Sequence, residues 1–152
     1  MNTAEIEQAF SVASARELDA NAFYSRVAKT AKHPEVKNVF TQLAADEMGH
    51  FEMIEKFRAD PTLPMKIGAP GQDYKLAEAT ELPAFTDDMK PADAIALAMK
   101  KEQQAAEFYR GLSAAASDAG LKSIFDNLAN MELGHKHRLE NVFVDVGYPE
   151  AF

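Results

Sequence analysis

The sequence predicts an all-α fold, a four-helix bundle made of two helical hairpins joined by a long crossover connection. Three observations carry this. Four stretches repeat apolar residues at a 4-3-4-3 spacing, the period of an inward-facing helix seam. Short turn signals separate the first stretch from the second and the third from the fourth, whereas a Pro- and Gly-rich segment over 60–90 separates the two pairs. The chain also matches itself, without a gap, at an offset of 85 residues. Glu17 then falls on Glu102, Glu47 on Glu132, Gly49 on Gly134 and His50 on His135. Phe23-Tyr24 falls on Phe108-Tyr109, Phe40 on Phe125, and Leu43-Ala44 on Leu128-Ala129.

The first helix is expected from about Thr3 to Ala31, because Asn2 and Glu5 are spaced as a capping box. His33-Pro34 breaks it, and Pro34 suits the first turn of a second helix running to about Ala59. Asp60-Pro61 and Pro64 end that helix, and the connection allows a short helix over 74–80. Asp87 or Asp88 is placed to cap a third helix from near Pro91 to near Ala116. Ser117-Asp118-Ala119-Gly120 reads as a tight turn, and the fourth helix runs to about Val144. Hairpin 1 therefore covers about 3–59, the crossover about 60–90 and hairpin 2 about 91–144, all in a single domain over 1–152. An extended chain spans up to about 3.3 Å per residue, so the connection can run the length of a bundle.

Composition narrows the function. The formal charge of −8 argues against nucleic acid or an anionic membrane as partner, since both select clustered Lys and Arg. The chain has no cysteine, which excludes disulfides, thiolate zinc sites and iron–sulfur centres within it. No stretch reaches the roughly 18 consecutive apolar residues that a membrane-spanning helix needs. The N-terminus lacks the basic start and apolar run of a signal peptide, so a cytoplasmic location is expected.

Each seam is apolar except at its middle. The first runs Ile6, Phe10, Ala13, Glu17, Ala20, Tyr24, Val27 and Ala31; the second Val36, Phe40, Leu43, Glu47, His50, Ile54 and Phe57. The third runs Ile95, Ala98, Glu102, Ala105, Tyr109, Leu112 and Ala116, and the fourth Leu121, Phe125, Leu128, Glu132, His135, Leu139 and Val142. Burying an unpaired carboxylate costs several kcal/mol even after relaxation. No Lys or Arg occupies a seam position to neutralise these four.

The depths agree. Glu17 and Glu47 are each 15 residues from Lys32, and Glu102 and Glu132 are each 15 from Ser117. At 1.5 Å per residue, each hairpin sets its two glutamates side by side about 22 Å from its turn. The i, i+3 spacing puts His50 and His135 on the same face as Glu47 and Glu132. Glu17, Glu47, His50, Glu102, Glu132 and His135 thus form the ligand inventory of a dinuclear site inside a bundle. Two divalent cations would balance the four carboxylates. Oxygen-rich ligation with one imidazole per metal suits iron or manganese better than the thiolate-preferring metals.

Other residues have plainer readings. Tyr24 and Tyr109 lie two turns beyond Glu17 and Glu102; each is either a core aromatic or a hydrogen-bond donor to a ligating carboxylate. Gly49 and Gly134 disfavour helix by about 1 kcal/mol and suggest a crowded interhelical contact. His33 and His137 read as surface residues, and Met48, Met53, Met99 and Met131 as packing. Asp46, Glu52, Glu55, Glu107 and Glu140 fall off the seams and read as solvated charge.

With Glu17, the run Asp46-Glu47-Met48-Gly49-His50, Glu102 and the run Glu132-Leu133-Gly134-His135, the chain resembles the ferritin-like di-iron carboxylate superfamily, most nearly its rubrerythrin-like branch. The resemblance covers all four helices. It implies that Glu47 and Glu132 bridge two irons, with Glu17 and His50 terminal on one and Glu102 and His135 terminal on the other. It also implies an oxidoreductase of the peroxidase or ferroxidase type, reducing peroxide or dioxygen, and commonly a homodimer. The chain carries no rubredoxin domain, so the resemblance implies a separate electron-donor protein. Rubrerythrins commonly carry a further Glu three residues after the third-helix ligand. That position is Ala105 here, as in the six-ligand arrangement of ferroxidase-type centres. Iron handling, and a metal-stabilised structural or sensing bundle, are the competing functions.

Overall fold

The computed structural model describes residues 1–59, 85, 86 and 89–146, the last two by backbone alone. Its elements are α1 (Thr3–Thr30), α2 (Pro34–Ala59), α3 (Pro91–Ala115) and α4 (Ala119–Val146). No strand occurs among the described residues, and no described helix is long and apolar enough to cross a membrane.

The ends of the helices follow local chemistry. Asn2 accepts from the Glu5 backbone N–H at 2.8 Å while Glu5 accepts from the Asn2 N–H at 3.2 Å, a complete capping box. Pro34 opens α2 and Pro91 opens α3, where a missing N–H costs nothing. The cap residue of α3 is Lys90, which makes no side-chain cap bond. Asp87 and Asp88, expected to cap it, lie outside the described residues, as do the short helix over 74–80 and most of the crossover. Ala119 and Gly120 belong to the first turn of α4 and not to the preceding turn. The reason is Asp118, whose side chain accepts from the Leu121 N–H at 2.9 Å and so starts the helix early.

Two apolar clusters fill the ends of the bundle. One joins Val27 of α1, Val36 and Phe40 of α2, Ile95 of α3 and Leu139 of α4. The other joins Phe10 of α1, Phe57 of α2, Ala116 of α3 and Phe125 of α4. Neighbours within each hairpin are therefore antiparallel. The C-terminal end of α2 lies at the opposite end of the bundle from the start of α3. The described end of the connection lies against α1, with the Phe85 ring edge-on to Phe23 at 5.3 Å. Packing is closest between α1 and α2 and between α3 and α4, whereas α1 and α3 meet through long side chains with few close backbone approaches.

Three surface expectations are corrected. Glu140 is fully buried, as is Lys136 one turn before it, whose ammonium donates to Gln103 Oε1 at 2.8 Å. Off-seam charge can enter a helix–helix contact when partners there receive it. A Cβ built at Gly49 or Gly134 meets nothing within 4 Å, so neither glycine relieves crowding. His33 and His137 are half-buried, and neither belongs to the metal-competent cluster of described residues.

Candidate metal centre

Between the two apolar clusters lies a polar layer. Glu17, Glu47, His50, Glu102, Glu132 and His135 are all buried in it, the four carboxylates at no more than 2 % exposure. The structure brings all six together. His50 Nδ1 lies 3.7 Å from Glu17 Oε2, 3.5 Å from Glu47 Oε1 and 3.4 Å from Glu132 Oε1. His135 Nδ1 lies 2.6 Å from Glu47 Oε1 and 3.4 Å from Glu102 Oε1. The two imidazoles stack, with centroids 5.0 Å apart and planes 10° from parallel.

These approaches are not satisfied hydrogen bonds. One buried atom from each of the six residues has no hydrogen-bond partner: Glu17 Oε2, Glu47 Oε1, His50 Nδ1, Glu102 Oε2, Glu132 Oε1 and His135 Nδ1. Leaving even one buried polar atom unpaired costs about 1–3 kcal/mol. Buried oxygens and nitrogens left without hydrogen-bond partners are what a bound cation would satisfy. Glu47, His50, Glu132 and His135 each offer a ligand atom, all within 4.8 Å of one another. Carboxylate oxygen with imidazole nitrogen is a donor set for iron or manganese.

The tyrosines connect the hairpins reciprocally. Tyr24 on α1 donates to Glu102 Oε1 on α3, and Tyr109 on α3 donates to Glu17 Oε1 on α1 at 2.9 Å. Burial and the adjacent carboxylates push both phenols well above their ordinary pKa, so both stay protonated donors. Of the two readings open to them, the hydrogen bond to a candidate ligand is the one observed.

Asp46 corrects another expectation. It is half-buried, not merely solvated: its Oδ2 lies 3.5 Å from His135 Nε2 and accepts from Arg138 Nη1 at 2.6 Å. His135 and then Arg138 hold its carboxyl down at about 2. An anionic carboxylate behind an imidazole fixes which nitrogen faces the site and raises its basicity. The position matching Asp46 in the repeat is Met131, so the two halves differ here. The signal was the acidic residue one place before Glu47, four residues before His50; its partner, however, sits on α4, and no spacing within α2 shows that. Asp46→Ala is expected to weaken metal binding about 10- to 100-fold, measured by competition with a chromogenic chelator; unchanged affinity would remove Asp46 from the site.

The charge state without metal follows from crowding. Burial, then repulsion from Glu132, pushes Glu47 up to about 8, and Glu132 rises well above the carboxylate range through burial and its neighbours Glu102 and Glu17. Burial would lower His50, but Glu132, Glu17 and Glu47 around it push it up to about 12; His135 likewise rises well above normal, with Glu102 and Asp46 opposing burial. Burial also pushes Glu17 upward, but His50, Glu47 and Tyr109 hold it near 2. Protons thus occupy the cluster until a cation displaces them.

Glu47 takes up a proton when the metal-free chain folds, because its pKa rises from 4.5 to about 8. That contribution to stability is complete below pH 4.5 and fades as pH rises through about 8. Metal binding removes this dependence, so the rise in Tm caused by ferrous iron is expected to grow from pH 5 to pH 8. Calorimetric melts with and without metal measure it, and a gain independent of pH would contradict the proton-filled cluster.

The Rubrerythrin family model matches residues 8–143, which take in most of α1 and α4, all of α2 and α3, and all six residues of the centre. Among solved structures, a hypothetical protein from Pyrococcus furiosus has a similar fold, with a TM-score of 0.66 and 24 % identity over 95 % of this chain and 94 % of that one. No curated protein matches the chain.

Proposed function

The chain belongs to the rubrerythrin family, and on that premise we propose that it is a dinuclear non-haem iron protein that reduces peroxide or dioxygen. The observation that carries this reading is the set of six buried ligand atoms, one per residue, that lack hydrogen-bond partners. Glu47 approaches both imidazoles, which supports a bridging role for it and, through the repeat, for Glu132. Glu17 lies beside His50 and Glu102 beside His135, which supports terminal roles on separate ions. Two iron ions held by these residues would supply the two electrons that cleavage of a peroxide O–O bond consumes.

The remaining work falls to the chain. The apolar clusters above and below the polar layer exclude bulk water and strengthen every electrostatic contact in it. Tyr24 and Tyr109 hold Glu102 and Glu17 in place from the opposite hairpin and keep a proton next to each. Asp46 orients His135. Electrons come from a separate donor protein, and the protein works as a homodimer.

The matched alanines Ala20 and Ala105, which leave six ligands and no seventh, favour iron oxidation and handling as a second reading. Anaerobic ferrous loading followed by a hydrogen peroxide pulse in a stopped-flow spectrophotometer separates the two. The peroxide reading predicts rapid oxidation of one ferrous pair per peroxide and repeated turnover with a reductant. Slow oxidation by dioxygen alone, with more than two irons accumulating per chain, would assign iron handling instead.

A further inference from the structure

A cavity of about 260 Å³ lies over the carboxylate layer, where α1 and α3 stand apart. Glu17, Glu47, Glu102 and Glu132 line its inner end. Its walls include Ala20 and Ala105, which stand at matching positions of the repeat and leave the space open. The exposed residues that line it include Arg16 and Lys101, again 85 positions apart.

Neither cation hangs loose in solvent. The Arg16 guanidinium sits 4.5 Å over the Phe108 ring of α3, and the Lys101 ammonium sits 5.0 Å over the Phe23 ring of α1. Each therefore reaches across the mouth to the opposite helix, held by a cation–π contact. Asp19 is the one acidic residue among the exposed lining, so the mouth is net positive on a chain whose formal charge is −8.

Size and charge together describe an occupant. An apolar cavity of about 150 Å³ holds benzene; this one, whose inner end two bound ions would share, still exceeds what a two-oxygen molecule fills. Two cations at the rim favour an anionic group there, whereas they oppose entry of a metal cation by this face.

Resting on the reductase reading above, we propose that this cavity binds an organic hydroperoxide carrying a carboxylate, with the O–O end toward the glutamates and the carboxylate at the rim, against Arg16 or Lys101. The reaction is ROOH + 2 e⁻ + 2 H⁺ → ROH + H₂O. The O–O bond breaks, the hydroperoxide is reduced to the alcohol, and a one-electron donor protein restores both electrons in two transfers.

The test compares three oxidants on the anaerobic di-ferrous protein: hydrogen peroxide, cumene hydroperoxide and its para-carboxylate. Alongside, calorimetry measures binding of the unreactive alcohol of that para-carboxylate to the iron-loaded protein. The carboxylated hydroperoxide is expected to react about tenfold faster than the neutral one at limiting concentration. That preference is expected to vanish in R16Q/K101Q, both surface changes. Ala105→Leu is expected to lower the ratio of organic to hydrogen peroxide rates at least about tenfold by occupying the cavity. Equal rates for charged and neutral hydroperoxides, a preference that survives R16Q/K101Q, or no binding of the alcohol would each overturn the proposal. If hydrogen peroxide alone oxidises the protein and the alcohol does not bind, the cavity assignment fails and the reductase reading stands. If no peroxide oxidises it, the peroxide half of the reductase reading fails, and the proposal with it even where calorimetry finds the alcohol bound.

Discussion

Replacing Glu47 by alanine is expected to abolish dinuclear metal loading while leaving the metal-free fold intact. Both halves of this outcome follow from one fact. Glu47 approaches both imidazoles, so in the proposed bridging role it would be shared by both ions and its loss would release the pair. In the metal-free protein the same carboxylate is pushed up to about 8 by burial and Glu132, so its removal relieves a crowded cluster. At free ferrous iron a hundredfold above Kd, each filled site adds about 2.7 kcal/mol of stability. For a chain of this size that amounts to a Tm gain of about 5–10 °C per site. Glu47→Ala should lose most of that gain and keep the metal-free Tm within a few degrees; Glu132→Ala should behave alike. A variant that melts far lower without metal would show that Glu47 is structural. Substitution of His33 or His137 should leave metal loading unchanged.

Phe125→Ala is expected to destabilise the metal-free protein by about 3–5 kcal/mol, the range for deleting a buried aromatic ring. Phe125 is fully buried, and its ring stacks on Phe10 with centroids 5.3 Å apart, so the hole it leaves joins α1 to α4. Urea denaturation should show a lower midpoint with an unchanged slope. Saturating metal should recover part of the loss by mass action without changing the difference between wild type and variant. A cost under about 1 kcal/mol would mean that this end of the bundle does not carry the fold.

The helices and the six central residues were legible because both obey short-range rules. The 3.6-residue period placed Glu17 and Tyr24 on one face, and i, i+3 spacing joined Glu47 to His50. The equal 15-residue arms put the two hairpins' glutamates at one depth. What escaped depends on contacts between helices that share no periodicity. Asp46 touches His135 on another helix and accepts there from Arg138, 92 residues away. Glu140 and Lys136 lie off the α4 seam yet are buried, because a four-helix bundle buries more than one narrow stripe per helix. The glycines misled for the opposite reason. A helix-disfavouring residue beside a ligand suggested crowding, and the space around both is open.

The duplicated layout also explains why the tyrosines cross over. Each hairpin supplies a carboxylate that the other hairpin's phenol holds, so neither half completes the layer alone. The cavity shows the same pattern at its mouth, with Arg16 and Lys101 each resting on the other hairpin's phenylalanine. Duplication thus appears as reciprocal contact and not only as similar letters.

The most direct measurement of the central claim is anaerobic titration of metal-free protein with ferrous iron, with bound metal counted by elemental analysis. The six-residue centre predicts a sharp breakpoint at two irons per chain. A stoichiometry near zero after loading would contradict it.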